Sequence, residues 1–229
     1  MRHLTLAALA LAACSHAQVP AAAPESVRGN LAPSPPAPFR IERLERFNAP
    51  FAMAFLPNGS LLVTEKGGHL KLRDPSGEIA DVTGVPAVAV GGQGGLLDIA
   101  VAPDFAGTGV IYLSYAEPRP TGSSLALARA RLAGDCVSHR TPWCRWSLTD
   151  LQVIWRAGSD GKGGQFGAAI AFAPDGRSLF LSSGERQRFT PAQDPDQALG
   201  KIVHLTLDGK PWPGNPQAGK IGAASVAVI

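Results

Sequence analysis

Ala169-Ile170-Ala171-Phe172-Ala173-Pro174-Asp175-Gly176 runs, after Arg177 and Ser178, into Leu179-Phe180-Leu181. This is an apolar segment, a turn and a second apolar segment. Proline cannot donate to a strand ladder, and the Asp-Gly pair supplies a side-chain acceptor and a permissive backbone, so the stretch predicts a β-hairpin. The same phrase stands twice upstream. Ala52-Met53-Ala54-Phe55-Leu56-Pro57-Asn58-Gly59 leads into Leu61-Leu62-Val63, and Leu97 to Ala102 with Pro103-Asp104 leads into Val110-Ile111-Tyr112-Leu113. Self-similarity of this kind points to a repeat architecture.

Outside each phrase further strands are expected at Leu70 to Arg73, Ser124 to Leu132 and Lys201 to Leu207, with turns at Asp74-Pro75-Ser76-Gly77 and Asp208-Gly209. Each unit then holds three or four antiparallel strands. Pro57 and Pro103 are 46 residues apart, the length of one propeller blade of ~40–50 residues. Pro103 and Pro174 are 71 apart, a blade plus an insertion, which the Cys136–Cys144 segment with Trp143 and Trp146 supplies. The fold class expected is all-β, a β-propeller of four-stranded antiparallel blades. About three blades are present, whereas closed propellers have ~4–8. An open array exposes edges and one apolar blade face. The chain is therefore expected to be part of a longer protein; a ring completed by oligomerisation is the alternative.

Gly and Pro, 26 and 20 of the 229 residues, favour many turns between short strands over long helices. A scattered charge of +3, without runs of Lys or Arg, gives no reason to expect nucleic acid as a partner. Residues 1–14 read as an export signal: Arg2 and His3 precede an apolar stretch from Leu4 to Ala13, too short to span a bilayer. Its end, Leu11-Ala12-Ala13-Cys14, resembles a lipobox with Cys14 as the acylated residue; cleavage near Ala17 as an ordinary secretory peptide is the other reading. Both place the chain outside the cytoplasm, in the periplasm, with membrane attachment only through the lipid. Residues 15–38 are a Pro- and Ala-rich tether, and residues 39–229 form the propeller part. In an oxidising compartment Cys136 and Cys144 form a disulfide or remain two buried thiols, and the spacing fits both.

Two loops stand out for chemistry. Val90-Gly91-Gly92-Gln93-Gly94-Gly95 sets one polar side chain among four glycines before an apolar strand, and Asp160-Gly161-Lys162-Gly163-Gly164-Gln165-Phe166-Gly167 does the same before the third repeat. Glycines there allow a ligand close to the backbone, or simply a flexible connection. Neither loop is a phosphate loop, since no Lys-Ser or Lys-Thr and no helix pattern follows. Like loops at like positions predict one shared rim. Downstream, Glu185 and Arg186 read equally as a solvated pair and as site residues.

At Gly92-Gln93-Gly94-Gly95-Leu96-Leu97-Asp98, Ala102-Pro103-Asp104-Phe105, Phe166-Gly167, Gly184-Glu185, Thr190-Pro191-Ala192-Gln193-Asp194 and Leu199-Gly200-Lys201, the chain resembles the soluble pyrroloquinoline quinone dependent aldose sugar dehydrogenases. These are six-bladed propellers of the glucose and sorbosone dehydrogenase family. The likeness runs from about Phe47 to Pro216. It implies oxidation of the anomeric carbon of an aldose to a lactone, with hydride passing to the quinone, a calcium ion polarising the quinone carbonyl and a His taking the sugar hydroxyl proton. The electron acceptor and the particular sugar are not specified by it.

The resemblance makes Gln93 the cofactor-binding residue and puts Gln165 at the position of the family's catalytic His, before the Phe-Gly pair. A neighbouring family Arg is replaced in Ala168-Ala169. An amide has a donor and an acceptor but no basic nitrogen, so Gln165 can orient a hydroxyl and cannot deprotonate it. Losing a general base removes a factor of ~10²–10⁴ in rate. His69, His139 and His204 are expected in strands or in the insertion, away from the rim; Asp160 and Glu185 are nearer but are weak bases. The family's other cofactor residues and its calcium ligands belong to parts beyond this segment, so no metal site is expected here and the isolated chain is expected to be inactive. A non-catalytic sugar-binding or scaffold propeller of the same descent is the competing reading.

Overall fold

The computed structural model describes residues 38–136, 144–220 and 222–228. Cys14, His139, Trp143 and most of the expected tether lie outside them. The chain divides into residues 1–43 and 44–229, and every strand belongs to the second part. Among the described residues no helix is long and apolar enough to cross a membrane.

The three phrases are the inner hairpins of three antiparallel units, the first two joined in one eight-stranded sheet by a short parallel pairing at Val82 and Trp146. In the first, β1 (Pro50–Phe55), β2 (Leu61–Glu65), β3 (His69–Arg73) and β4 (Ile79–Thr83) pair antiparallel in sequence order. In the second, β5 (Leu96–Val101), β6 (Val110–Arg119), β7 (Gly122–Cys136) and β8 (Cys144–Arg156) repeat the pattern. In the third, β9 (Gly167–Phe172), β10 (Ser178–Ser183) and β11 (Lys201–Thr206) do so with three strands. The fourth position of that unit is taken by the final apolar run. His204 N donates to Val226 O at 2.8 Å, and Val228 N donates to Ile202 O at 3.0 Å. The fold is thus a β-propeller of four-stranded blades. The long β7–β8 hairpin accounts for most of the extra length in the second repeat. Cys144 is disulfide-bonded, and the register sets Cys136 opposite it across that hairpin.

Strand alternation gives each blade two faces, and the cores lie where the faces of adjacent blades meet. Leu62, Leu70 and Leu72 of the first blade meet Ile111, Leu113, Tyr115, Ala126 and Ala128 of the second. The opposite side of β6 and β7, Tyr112, Ala116, Leu125 and Leu127, meets Leu179, Leu181, Val203 and Leu205 of the third. On β1, Ala52 and Ala54 face the first core, while Phe51, Met53 and Phe55 on the other side are exposed.

The repeat extends to a hydroxyl at one strand position. Thr64 Oγ1 accepts from Ala52 N at 3.0 Å and donates to Leu97 O of the next blade at 2.7 Å. Ser114 Oγ accepts from Asp98 N at 3.0 Å and donates to Ala168 O of the third blade at 2.7 Å. Ser182 Oγ, at the same place in β10, accepts from Ala169 N at 2.9 Å. These hydroxyls satisfy backbone groups that the inner strands would otherwise bury unpaired. They fix the inner strands side by side, and with them the loops that enter β5 and β9.

Candidate functional site

The loop before β5 closes on itself through Gly94 N and Gly91 O at 2.7 Å, and Lys66 Nζ holds Gly92 O from the first blade. Gln93 stands exposed at its tip. Its side chain crosses to the loop before β9, where Oε1 accepts from Gln165 N at 2.5 Å. The crossing needs a bare backbone: a Cβ on Gly164 would lie 2.8 Å from Gln93 Oε1. The two glutamines singled out in the sequence therefore meet, and a backbone N–H can face only the carbonyl end of the Gln93 amide. The NH₂ of Gln93 has no partner among the described residues.

The second loop is held from beneath by Arg186, which is 1 % exposed. Its Nε donates to Gly164 O at 3.1 Å and its Nη1 to Ser123 O at 2.9 Å. Its Nη2 donates to Gly163 O at 3.0 Å, Gly161 O at 3.2 Å and Ser123 Oγ at 3.3 Å. The guanidinium lies 3.9 Å from the Phe166 ring centroid, in cation–π geometry. Burial, followed by the nearby Arg188 charge, lowers its pKa, and no carboxylate among the described residues pairs with it. Arg186 is thus buried, Glu185 stays partly exposed, and the two side chains do not pair. Glu185 turns away to accept from Phe189 N at 2.5 Å and Gln187 N at 2.9 Å, and these bonds, Phe189 first, pull its pKa below the usual range. Gln187 Oε1 accepts from Gly164 N at 2.9 Å. Sequence reading missed Arg186 as an organiser, because its partners are backbone carbonyls, which leave no mark in composition.

Left-handed backbone gathers here. Gln165, Ala168, Arg186, Gln187 and Phe189 have φ of 49°, 79°, 61°, 59° and 58°. Such conformations persist in side-chain-bearing residues only where the surroundings over-determine them, and they concentrate at functional sites.

Around these loops lies a cavity of about 460 Å³, lined among others by Gly92, Ser123, Lys162, Gly164 and Gln187. That is within the range of small-molecule sites. Its lining carries Lys162 and no carboxylate. The exposed Gln165 amide has no partner among the described residues. The rim carboxylates are engaged, Glu185 by two amides and Asp160 by Arg119 Nε at 2.9 Å. Among the described residues no histidine lines the cavity: His69 is in β3, and His204 is stacked in β11 between Phe180 at 4.1 Å and Trp212 at 5.3 Å. The site can donate hydrogen bonds, orient hydroxyls and favour negative charge, and its described side chains include no ready general base. A planar quinone bearing carboxylates would find Lys162 and a glycine lining in this cavity. Calcium finds no such fit, since it takes ~6–8 oxygens with carboxylates prominent, and no group of three His, Cys, Asp or Glu occurs among the described residues.

A family model described as Glucose / Sorbosone dehydrogenase matches residues 47–227. The aldose sugar dehydrogenase YliI of Escherichia coli (strain K12) is 37% identical over 194 residues, covering 82% of this chain and 49% of that protein. The apo-form structure of the soluble E. coli aldose sugar dehydrogenase superposes with a TM-score of 0.69 at 36% identity, over 79% of this chain and 50% of that one. A PQQ-bound aldose sugar dehydrogenase from Streptomyces coelicolor superposes with a TM-score of 0.63 at 30% identity, over 76% and 49%. The chain spans about half the length of these relatives.

Proposed function

Because this chain belongs to the glucose/sorbosone dehydrogenase family, we propose that its rim cavity is one side of the pyrroloquinoline quinone site of an enzyme that oxidises aldoses to lactones. The observation that carries the reading is Gln93, whose carbonyl is spent on Gln165 N and whose NH₂ is free beside a glycine-lined cavity without carboxylates. Bound there, the quinone supplies the hydride acceptor for the anomeric carbon. Gln93 would donate a hydrogen bond to it, Lys162 would offset part of its negative charge, and the glycine backbone would permit its close approach. Gln165 hydrogen-bonds a sugar hydroxyl through its free amide and leaves the proton in place. Removal of that proton then falls to a group outside the described residues. Since one side of the cavity is described, the 229 residues alone are expected not to hold the quinone stoichiometrically.

The same proposal includes export to the periplasm, acylation of Cys14 and pairing of Cys136 with Cys144. It also includes a six-bladed ring, with calcium bound by residues outside those described. The lack of a free base beside Gln165 favours a second reading, a propeller that binds sugar or quinone without turnover. Aldose oxidation decides between them, measured with quinone, calcium and a dye acceptor on the polypeptide encoded by the complete reading frame. Lactone formation, at least ~10-fold weaker in Gln93→Ala and weakened to a lesser degree in Gln165→Ala, is the expected result. Quinone binding without turnover supports the second reading, and absence of both binding and turnover overturns the first.

A further inference from the structure

The structure assigns Arg186 as the positioning residue of the rim: its buried guanidinium holds the Gly161–Gln165 loop against the second blade and so sets the course of the backbone that lines the cavity and carries Gln165. Five of its contacts go to two separate segments, Ser123 at the β6–β7 hairpin tip and the carbonyls of Gly161, Gly163 and Gly164. Those segments are otherwise joined at this point by Ser123 N to Gly161 O, at 3.1 Å. A glycine-rich loop has the most backbone freedom to lose, and Gln165 at its end is held at a φ of 49°. A planar group with five donors can satisfy diverging carbonyls from one position, which a single ammonium cannot. The Phe166 ring beneath sets the plane of that fork.

Arg186 does not itself line the cavity, whereas its partners Ser123, Gly161, Gly163 and Gly164 do, so its action on a ligand passes through the loop. That consequence for quinone affinity rests on the function proposed above, whereas the loop assignment does not.

Backbone hydrogen exchange in the full polypeptide tests it without any ligand. In Arg186→Met the amides of Ser123, Gly164 and Gln165 are expected to exchange at least ~10-fold faster, while those of β2 and β10 keep their rates. Arg186→Lys, which restores the charge without the fork, is expected to stay on the fast side. Unchanged loop exchange overturns the assignment, and so does equal acceleration in all strands, which would mean general destabilisation. Should Arg186→Met fail to fold, Phe166→Leu removes the ring beneath the guanidinium and is expected to raise loop exchange about threefold, again locally; no local change there overturns the assignment. Quinone titrations on the same samples separate the two readings. Absence of binding in the unsubstituted polypeptide sinks the proposed function, and the exchange pattern still decides Arg186.

Discussion

The two ends of the inner strands are built by different rules. At the turn end the units copy one another. Leu56 N bonds to Ser60 O at 2.8 Å with Gly59 N to Leu56 O at 2.9 Å, and Ala173 N bonds to Ser178 O at 2.9 Å with Gly176 N to Ala173 O at 2.8 Å. The middle unit keeps Ala102 N to Val110 O at 3.0 Å and inserts a single helical turn, Phe105–Thr108, ended by Gly109 at φ 67°. At the rim end the loops share only their composition. The loop before β5 sends a side chain out, through Gln93. The loop before β9 receives side chains, from Gln93, Arg186 and Gln187. The turn end is set by local backbone chemistry that any copy of the phrase repeats, and the rim end by contacts between distant segments. Divergence is therefore free at the rim, where the candidate site lies.

The largest effect that could break this division is expected inside the strands. Ser114→Ala leaves Asp98 N and Ala168 O buried without partners and is expected to lower stability by about 2–3 kcal/mol in denaturant unfolding. A loss below ~0.5 kcal/mol would show that these hydroxyls do not join the blades. A smaller effect separates the two ends directly. Gly176→Ala forces a Cβ at φ +68°, 3.2 Å from Pro103 Cβ, with an expected loss of about 1–2 kcal/mol. Gly164→Ala meets only the end of the Gln93 side chain, so stability should fall by less than ~1 kcal/mol while the Gln93–Gln165 bond is lost, read as faster Gln165 exchange. Equal stability losses at both sites would erase the contrast.

The smallest effect is in pH. Burial lowers the pKa of His204 from its ordinary 6.5, so the unfolded chain takes up a proton first as pH falls. Its contribution is fully present above 6.5 and is lost as pH drops through the folded value. Glu185 at the rim follows later, since its lowered pKa contributes stability that is present above 4.5 and lost below it. Acid titration of unfolding stability should show the His204 step vanish in His204→Phe and the Glu185 step persist. A single step unaffected by that substitution would show that the two regions do not titrate separately.

Much of this was legible because the signals are local. Alternation with Pro-Asp or Pro-Asn-Gly turns gives hairpins wherever it occurs, and Gln93 and Gln165 were visible as lone polar residues among glycines. The shared rim followed from like loops at like positions. The roles were not legible. Gln93 was expected to bind a cofactor, and the carbonyl half of its amide is bound to Gln165 N. Glu185-Arg186 read as a solvated pair or a site, and the structure separates them, because a guanidinium beneath a glycine loop finds enough carbonyls to be buried without a carboxylate.

The sequence by itself determined an all-β repeat of hairpins, the blade cores and the residues that mark the rim, since strand period and turn chemistry act over a few residues. Only the tertiary structure decided that Thr64 and Ser114 join successive blades, that the Gln93 carbonyl belongs to Gln165, and that Arg186 carries the loop. Each of those bonds spans 22 to 72 residues of chain. At such separations the partner is chosen by how the blades pack, and the backbone acceptors involved are the same in every residue, so no pattern of side chains announces them.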